Sequence, residues 1–198
     1  GADTKNHIQP GDWVVMDEPF LELGENTLVS KALDNRIACW LGIETLRNYS
    51  GDKDLYVVFT TQEEVGLRGA KTASYNVNPD VTIGLDVTLA CDTPGVPGNK
   101  QTSQMGKGFC LGLRDSSMIS HKGLVREFAK LAEDNNIPFQ RVVMGGGGQD
   151  AAAGQQTADG SRAIALAVGT RYIHTVTEMI DRRDLQNTLD ILLVYLND

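Results

Sequence analysis

"VVFTTQEEVGLRGA", residues 57–70, runs from a β-branched and aromatic stretch into two adjacent glutamates and then a glycine. Taken from its start, "DLYVVFTT" (54–61) is a continuous apolar run of the kind expected for a strand buried on both faces, and "GLRGAKTASYN" after it reads as a short helix. A strand that hands over to a helix through a turn, with acids at its carboxyl end, is the repeating unit of an α/β domain. The alternation continues outward in both directions. Toward the amino end, "DNRIACWLGIETLRNY" places Ile37, Trp40, Leu41, Ile43 and Leu46 at helical spacing and predicts a helix over about 35–49, with Asp34 at its head as an N-cap candidate. Toward the carboxyl end, "DVTIGLDVTLA" predicts a second buried strand and "GKGFCLGLRD" a third. The helix "HKGLVREFAKLAEDNN" follows, with Leu124, Phe128, Leu131 and Ala132 on one stripe. Pro138 cannot continue that helix, so "FQRVVM" resumes as a strand. A glycine-rich turn then opens into an alanine-rich helix, "SRAIALAV" forms a strand, and "RRDLQNTLDILLVYL" closes the chain as an amphipathic helix.

These elements predict an α/β fold, a three-layer αβα sandwich around a mostly parallel mixed sheet, with functional residues at the carboxyl ends of strands. The first thirty residues differ, because "GDWVVMDEPFLEL" and "NTLVSK" read as two short β segments around a turn at Gly24, the remnant of a separate module. At 198 residues, with 41% hydrophobic and 22% charged side chains, the chain has the composition of an ordinary soluble domain. A net charge of −8 without a Lys/Arg cluster excludes a nucleic-acid partner. No apolar run approaches a membrane span, so no membrane partner is expected. Three cysteines, Cys39, Cys91 and Cys110, without CxxC spacing predict reduced, buried thiols and a cytoplasmic protein. The amino end carries neither an initiator Met nor a signal sequence and reads as a fragment boundary.

Candidate chemistry collects where the architecture places a site. Asp34 heads a helix, Glu63 and Glu64 close a strand, Asp86 lies inside "TIGLDVTLA", and His174 follows the last strand. Each alone has a plainer explanation: a cap, a solvated turn, a turn acid, a surface histidine. Together they are harder to dismiss, because an unpaired carboxylate within an apolar strand carries a burial penalty of several kcal/mol and calls for a cation. Carboxylates with imidazole and no thiolate set suit Zn, Co or Mn, and two such ions can share a carboxylate. Where the chain turns through Gly66, adjacent glutamates need not obey strand alternation. Glu64 then serves as a metal ligand and Glu63 as general base. A glycosidase needs its two carboxyls about 5–9.5 Å apart across a sugar bond, which adjacent glutamates suit poorly. The GxSxG elbow of a serine hydrolase is absent, and Ser116, Ser117 and Ser120 near His121 lack its setting. His121 reads as a helix-start residue. The run Gly145 to Gly148 lacks a phosphate-loop pattern and reads as a turn packing close to the site.

"KALDNR", "TTQEEVGLRGA", "GLDVTLACDTPG", "GGGGQDAAAGQQ" and "TRYIHTVTEMI", in that order, resemble the successive motifs of the glutamyl aminopeptidase family, dimetal enzymes that include the tetrahedral aminopeptidases and proteins once labelled endoglucanase M. The resemblance implies that Asp34 bridges two divalent ions, that Glu64 and His174 complete one ion's shell, that Asp86 serves the other, and that Glu63 is the catalytic acid/base. It implies short peptides as substrates and a dodecameric homo-oligomer for the full-length protein. It also implies that residues 1–30 are the end of an inserted β-rich oligomerisation domain leading into a catalytic domain at 31–198. The family's amino-terminal His-x-Asp ligand has no counterpart here, since His7 has no Asp two positions on. The chain is therefore expected to be the carboxyl-terminal part of a longer aminopeptidase, holding two ions in the parent and one or none by itself. Alternatives are an inactive domain with an incomplete metal site, or a deacylase or carboxypeptidase on the same scaffold. Asn35 stands where an Asp often follows the bridging residue, Gln149 replaces a Thr, and "HTVTE" keeps Glu178 as a candidate partner for His174 or for a substrate amine.

Overall fold

The computed structural model of the chain describes Gly1 and residues 3–198. Seven strands and five α-helices follow in the order β1 (Leu21–Leu23), β2 (Thr27–Ser30), α1 (Leu33–Asn48), α2 (Arg68–Val77), β3 (Val81–Leu89), β4 (Phe109–Arg114), α3 (Lys122–Asp134), β5 (Phe139–Val143), α4 (Ala151–Gln156), β6 (Arg162–Arg171), β7 (Glu178–Asp181) and α5 (Arg182–Asn197). One sheet contains all seven strands, in the path β1-β2-β7-β6-β4-β5, with β3 pairing β6 as well. The fold is α/β and the sheet mixed, but the parallel majority expected from the sequence does not hold. β3–β6 and β4–β5 are parallel, whereas β1–β2, β2–β7, β4–β6 and β6–β7 are antiparallel. The cause lies in two connections: β1 and β2 form a hairpin through Gly24, and β7 turns back on β6 instead of crossing over.

β6 explains the layering. Its alternate residues Ile164, Leu166 and Val168 lie under α1, α3 and α5, where they meet Phe109, Leu111, Leu124, Phe128 and Ile191 in one cluster and Ile37, Leu41 and Ile180 in a second. The opposite face carries Ala163 and Ala165, small residues against α4 with its buried Ala151 and Ala152, and Ala167, which packs with Cys110 and Val142. The approach is close: a Cβ on Gly84 of β3 would sit 2.9 Å from the Ala151 Cβ, and one on Gly112 of β4 2.7 Å from the Ala165 Cβ. A sheet with large residues on one face and small ones on the other leaves room on the small side, and the cavity described below opens there.

Several sequence expectations are corrected. Residues 54–61 form no strand: among the described residues their backbone makes no backbone hydrogen bond until Thr61, whose carbonyl accepts from Gly69 N–H at 2.9 Å. A strand exists only through pairing, and no strand lies against this extended segment. Its side chains pack inward only in part, with Val57 and Phe59 against Gly42 of α1 while Tyr56 stays 65% exposed. β3 likewise has no strand partner beyond β6 among the described residues. The cysteines are free, but only Cys110 is buried, and Cys39 on α1 is exposed. On α1 itself Ile37 and Leu41 are buried whereas Trp40, Ile43 and Leu46 are not, so the apolar stripe is wider than the surface that covers it. At the amino end only residues 21–23 and 27–30 pair as strands, and Trp13, Val14 and Val15 are exposed.

Candidate metal centre

Four chain segments converge over the alanine face of the sheet. Between β2 and α1, Ala32 takes a left-handed conformation, Leu33 anchors in the core, and Asp34 and Asn35 have non-helical backbone angles, joined by a cis peptide. Regular helix therefore starts after Asn35, and Asp34 is not an N-cap. Asn35 has that role, its Oδ1 accepting from Ala38 N–H at 3.3 Å. The Asn35 Nδ2 donates to the Leu85 carbonyl at 3.1 Å and to Asp86 Oδ1 at 2.9 Å, which ties the start of α1 to the middle of β3.

Glu63 and Glu64 sit on a turn that is wound by Gly66 N–H and Leu67 N–H, both donating to the Glu63 carbonyl at 3.0 Å, and that runs directly into α2. Gly66 has φ +118°, a conformation that a side chain would strain. Asp86, opposite Ala167 in the β3–β6 ladder, accepts from Val87 N–H at 2.8 Å. His174 lies three residues beyond β6 with φ +64°, and its N–H donates to Glu178 Oε1 at 2.8 Å. His121, expected at a helix start, caps α3 by accepting from Leu124 N–H.

The His174 Nε2 stands 3.1 Å from Asp34 Oδ2 and 3.2 Å from Glu64 Oε1, and one donor atom from each of the three lies within 4.8 Å of the others. The Asp34 side chain is 14% exposed against 64–65% for Glu64 and His174, so the group is closed behind Asp34 and open to solvent in front. Glu63 and Asp86 line the same cavity, of about 1310 Å³, together with the glycine turn at 146–148 and Gln149. Asp86 is not one of these three mutually close residues.

Burial pushes up the pKa of Asp34, and the charges of Glu64 and Glu178 push it further while His174 pulls it down. Burial, then Asp150, Glu64 and Asp34, carry Glu63 to about 7. Asp86 is driven well above the carboxylate range, chiefly by burial, with the Val87 amide opposing. Carboxylates crowded into partly desolvated space repel one another and resist ionisation, and a dication placed among them reverses that balance. Two carboxylate oxygens and an imidazole nitrogen at this spacing suit such an ion.

Two further acids lie at the site: Glu178, which meets the expectation of a partner for His174, and Asp150, which the sequence did not single out. Glu178 is 2% exposed. Asp150 heads α4 but makes no cap; its Oδ2 accepts from Thr60 Oγ1, and its Oδ1 is buried without a partner among the described residues. Gln149, which stands where the resemblance expects a Thr, is 7% exposed and bonded to Met118 Sδ and Ala151 N–H.

The profile of the M42 glutamyl aminopeptidase family matches residues 1–191. The lysyl aminopeptidase of Pyrococcus furiosus is 34% identical over 182 residues, 90% of this chain and 51% of that protein. Among solved structures, the aminopeptidase APDkam598 of the archaeon Desulfurococcus kamchatkensis superposes with a TM-score of 0.95 at 35% identity, over 99% of this chain and 56% of that one. The TET1 peptidase of Pyrococcus horikoshii, which can assemble into a tetrahedron or a large octahedral shell, gives 0.82 at 28% identity, over 100% of this chain and 58% of that one. The chain spans about half the length of the curated relatives it matches.

Proposed function

The chain belongs to the M42 glutamyl aminopeptidase family, and we propose that it forms the metal-holding part of a metal-dependent aminopeptidase that removes amino-terminal residues from short peptides. The observation that carries this reading is the meeting of Asp34, Glu64 and His174 with Glu63 on the same cavity wall. A divalent ion bound there would act as a Lewis acid toward the peptide carbonyl. Asp34, Glu64 and His174 would hold that ion, and Asp86 would serve a second one, with Asp34 shared. Glu63 would take a proton from water and deliver it to the leaving amine, the two halves of general acid/base catalysis. Zn, Co and Mn all suit this donor set.

Substrate side chain is left open: the family is described as glutamyl and the P. furiosus relative as lysyl, so what this reading requires is a free α-amine. Residues 1–30 are read as the end of a β-rich oligomerisation domain and 31–198 as catalytic domain. A homo-oligomeric shell is assigned to the longer protein, by analogy with the P. horikoshii relative. No helix among the described residues is long and apolar enough to cross a membrane, and we place the protein in the cytoplasm.

One observation favours a second reading alongside. Among the described residues only the Asp34, Glu64 and His174 group has metal-ligand spacing, which leaves Asp86 short of partners. The chain by itself would then hold one ion and hydrolyse peptides weakly. Metal analysis after equilibration with Co and desalting should find one ion per chain, lost in His174→Ala; two ions would mean a site complete without residues from elsewhere. In any form of the protein that turns over aminoacyl amides, Glu63→Gln should lower kcat by at least a hundredfold with metal content unchanged. A Glu63→Gln enzyme of full activity would sink the assignment, and hydrolysis of N-acetylated substrates in preference to free amines would favour a deacylase.

A further inference from the structure

We propose that Glu178 is a positioning residue that assembles the metal-binding group by clamping the backbones of two of its ligands. The inference rests on the reading of Asp34, Glu64 and His174 as that group. Glu178 opens β7, where it is paired with Ser30 of β2, and its side chain is all but completely buried. Its Oε2 accepts from the Asp34 N–H at 2.9 Å and its Oε1 from the His174 N–H at 2.8 Å. The two ligand residues come from segments far apart in the chain, each with irregular backbone: Asp34 in a non-helical stretch at the head of α1, His174 at φ +64°. Neither backbone is held by regular secondary structure at that point, and a single carboxylate bonded to both ties the two together.

The arrangement has a second consequence. Glu178 makes no ion pair among the described residues, the nearby histidine pairing instead with Asp34 and Glu64. A buried anion compensated only by two amides favours a cation in the adjoining group. Groups that orient metal ligands commonly contribute 10–100-fold to metal affinity.

The test is Co(II) titration of the whole chain, followed by calorimetry and by the visible spectrum of the bound ion, which reports ligand number and geometry. Glu178→Gln keeps the size but loses the charge and turns an amide NH2 toward one of the two N–H donors. It should bind Co(II) at least tenfold more weakly and with an altered spectrum. Asp184→Asn is the control, because Asp184 is also buried and also accepts two backbone N–H groups, from Gly106 at 2.6 Å and Gly108 at 2.7 Å, but away from the ligands. That variant should lose stability and keep wild-type Co(II) affinity and spectrum. If Glu178→Gln binds and absorbs like wild type, or if Asp184→Asn weakens Co(II) as much, the positioning role is overturned. Should Glu178→Gln not fold, hydrogen exchange of the wild-type chain decides: clamped amides at Asp34 and His174 exchange slowly and slow further on adding Co(II), and exchange as fast as at Thr175 and Thr177 would refute the clamp. A wild-type chain that binds no Co(II) removes the metal reading itself, and this proposal with it.

Discussion

Asn35 joins three parts of the site through one uncharged side chain, capping α1 with its oxygen and bonding the Leu85 carbonyl and the Asp86 carboxylate with its nitrogen. Asn35→Ala removes a cap worth about 1 kcal/mol and strips a donor from a desolvated carboxylate, a loss of roughly 1–3 kcal/mol. The unfolding free energy should fall by about 2–4 kcal/mol on those two counts. Asn35→Asp keeps the cap but sets an acceptor and a negative charge against Asp86, so it should be destabilising at pH 8 and recover toward wild type near pH 5, where the pair can share a proton. Urea unfolding at the two pH values checks this, and an Asn35→Asp chain as stable as wild type at pH 8 would contradict it. At this scale the sequence was informative about charge and silent about partners. Glu63, Glu64 and His174 could be found because they fall after apolar runs, Asp34 because it heads a helical pattern, and Asp86 because it interrupts an apolar strand. Asp34 misled as a cap because its non-helical backbone is set by a bond to Glu178, 144 positions away, and Asp150 passed unnoticed because its partner Thr60 lies 90 positions back.

Among the elements, residues 54–61 separate what composition specifies from what pairing specifies. The run has the β-branched and aromatic content of a central strand and is extended, yet it has no strand beside it, and Val58 and Phe59 are 47% and 54% exposed. Propensity describes how well a segment suits a pleated, half-buried surface; the ladder itself depends on a neighbour. Amides at 55–60 should therefore exchange with solvent orders of magnitude faster than those at 163–168 in β6, which is paired on both edges. Mass-spectrometric exchange resolves the two segments, and equal protection would mean that 54–61 is paired in solution. The reverse failure is β7, four residues that begin with Glu178 and end with Asp181, too short and too polar at the ends to read as a strand. Its antiparallel return on β6, with the β1–β2 hairpin, is what displaced the parallel majority. The long elements were readable for the opposite reason: α3, α5 and β6 carry enough periodic apolar residues for the pattern to dominate over context.

For the molecule as a whole, the acids of the site impose a pH dependence whose sign follows from their surroundings. Asp34, Glu63, Asp86 and Asp150 are all raised, Glu63 to about 7, and so is Asp184, to about 6, mainly by burial. A carboxyl raised on folding binds more protons in the native state than in the unfolded one, so its stabilising contribution is complete below the unfolded pKa and is lost as pH climbs through the folded value. For Asp184 alone the step from 3.8 to about 6 corresponds to roughly 3 kcal/mol. Asp92, bonded to Arg171, and Asp181, bonded to Arg183, are lowered and act in the opposite sense, contributing above pH 4 and failing below it. The metal-free chain should therefore be most stable near pH 4–5 and lose Tm steadily from pH 5 to pH 8. A bound dication needs the same carboxylates deprotonated, so saturating Zn or Co should raise Tm most at pH 8 and flatten or invert the slope. Calorimetric scans at pH 5, 6.5 and 8, with chelator and with metal, give both curves. A metal-free Tm that rises from pH 5 to pH 8 would mean that the acids are already compensated within the chain, and the case for a cation among them would lose its electrostatic support.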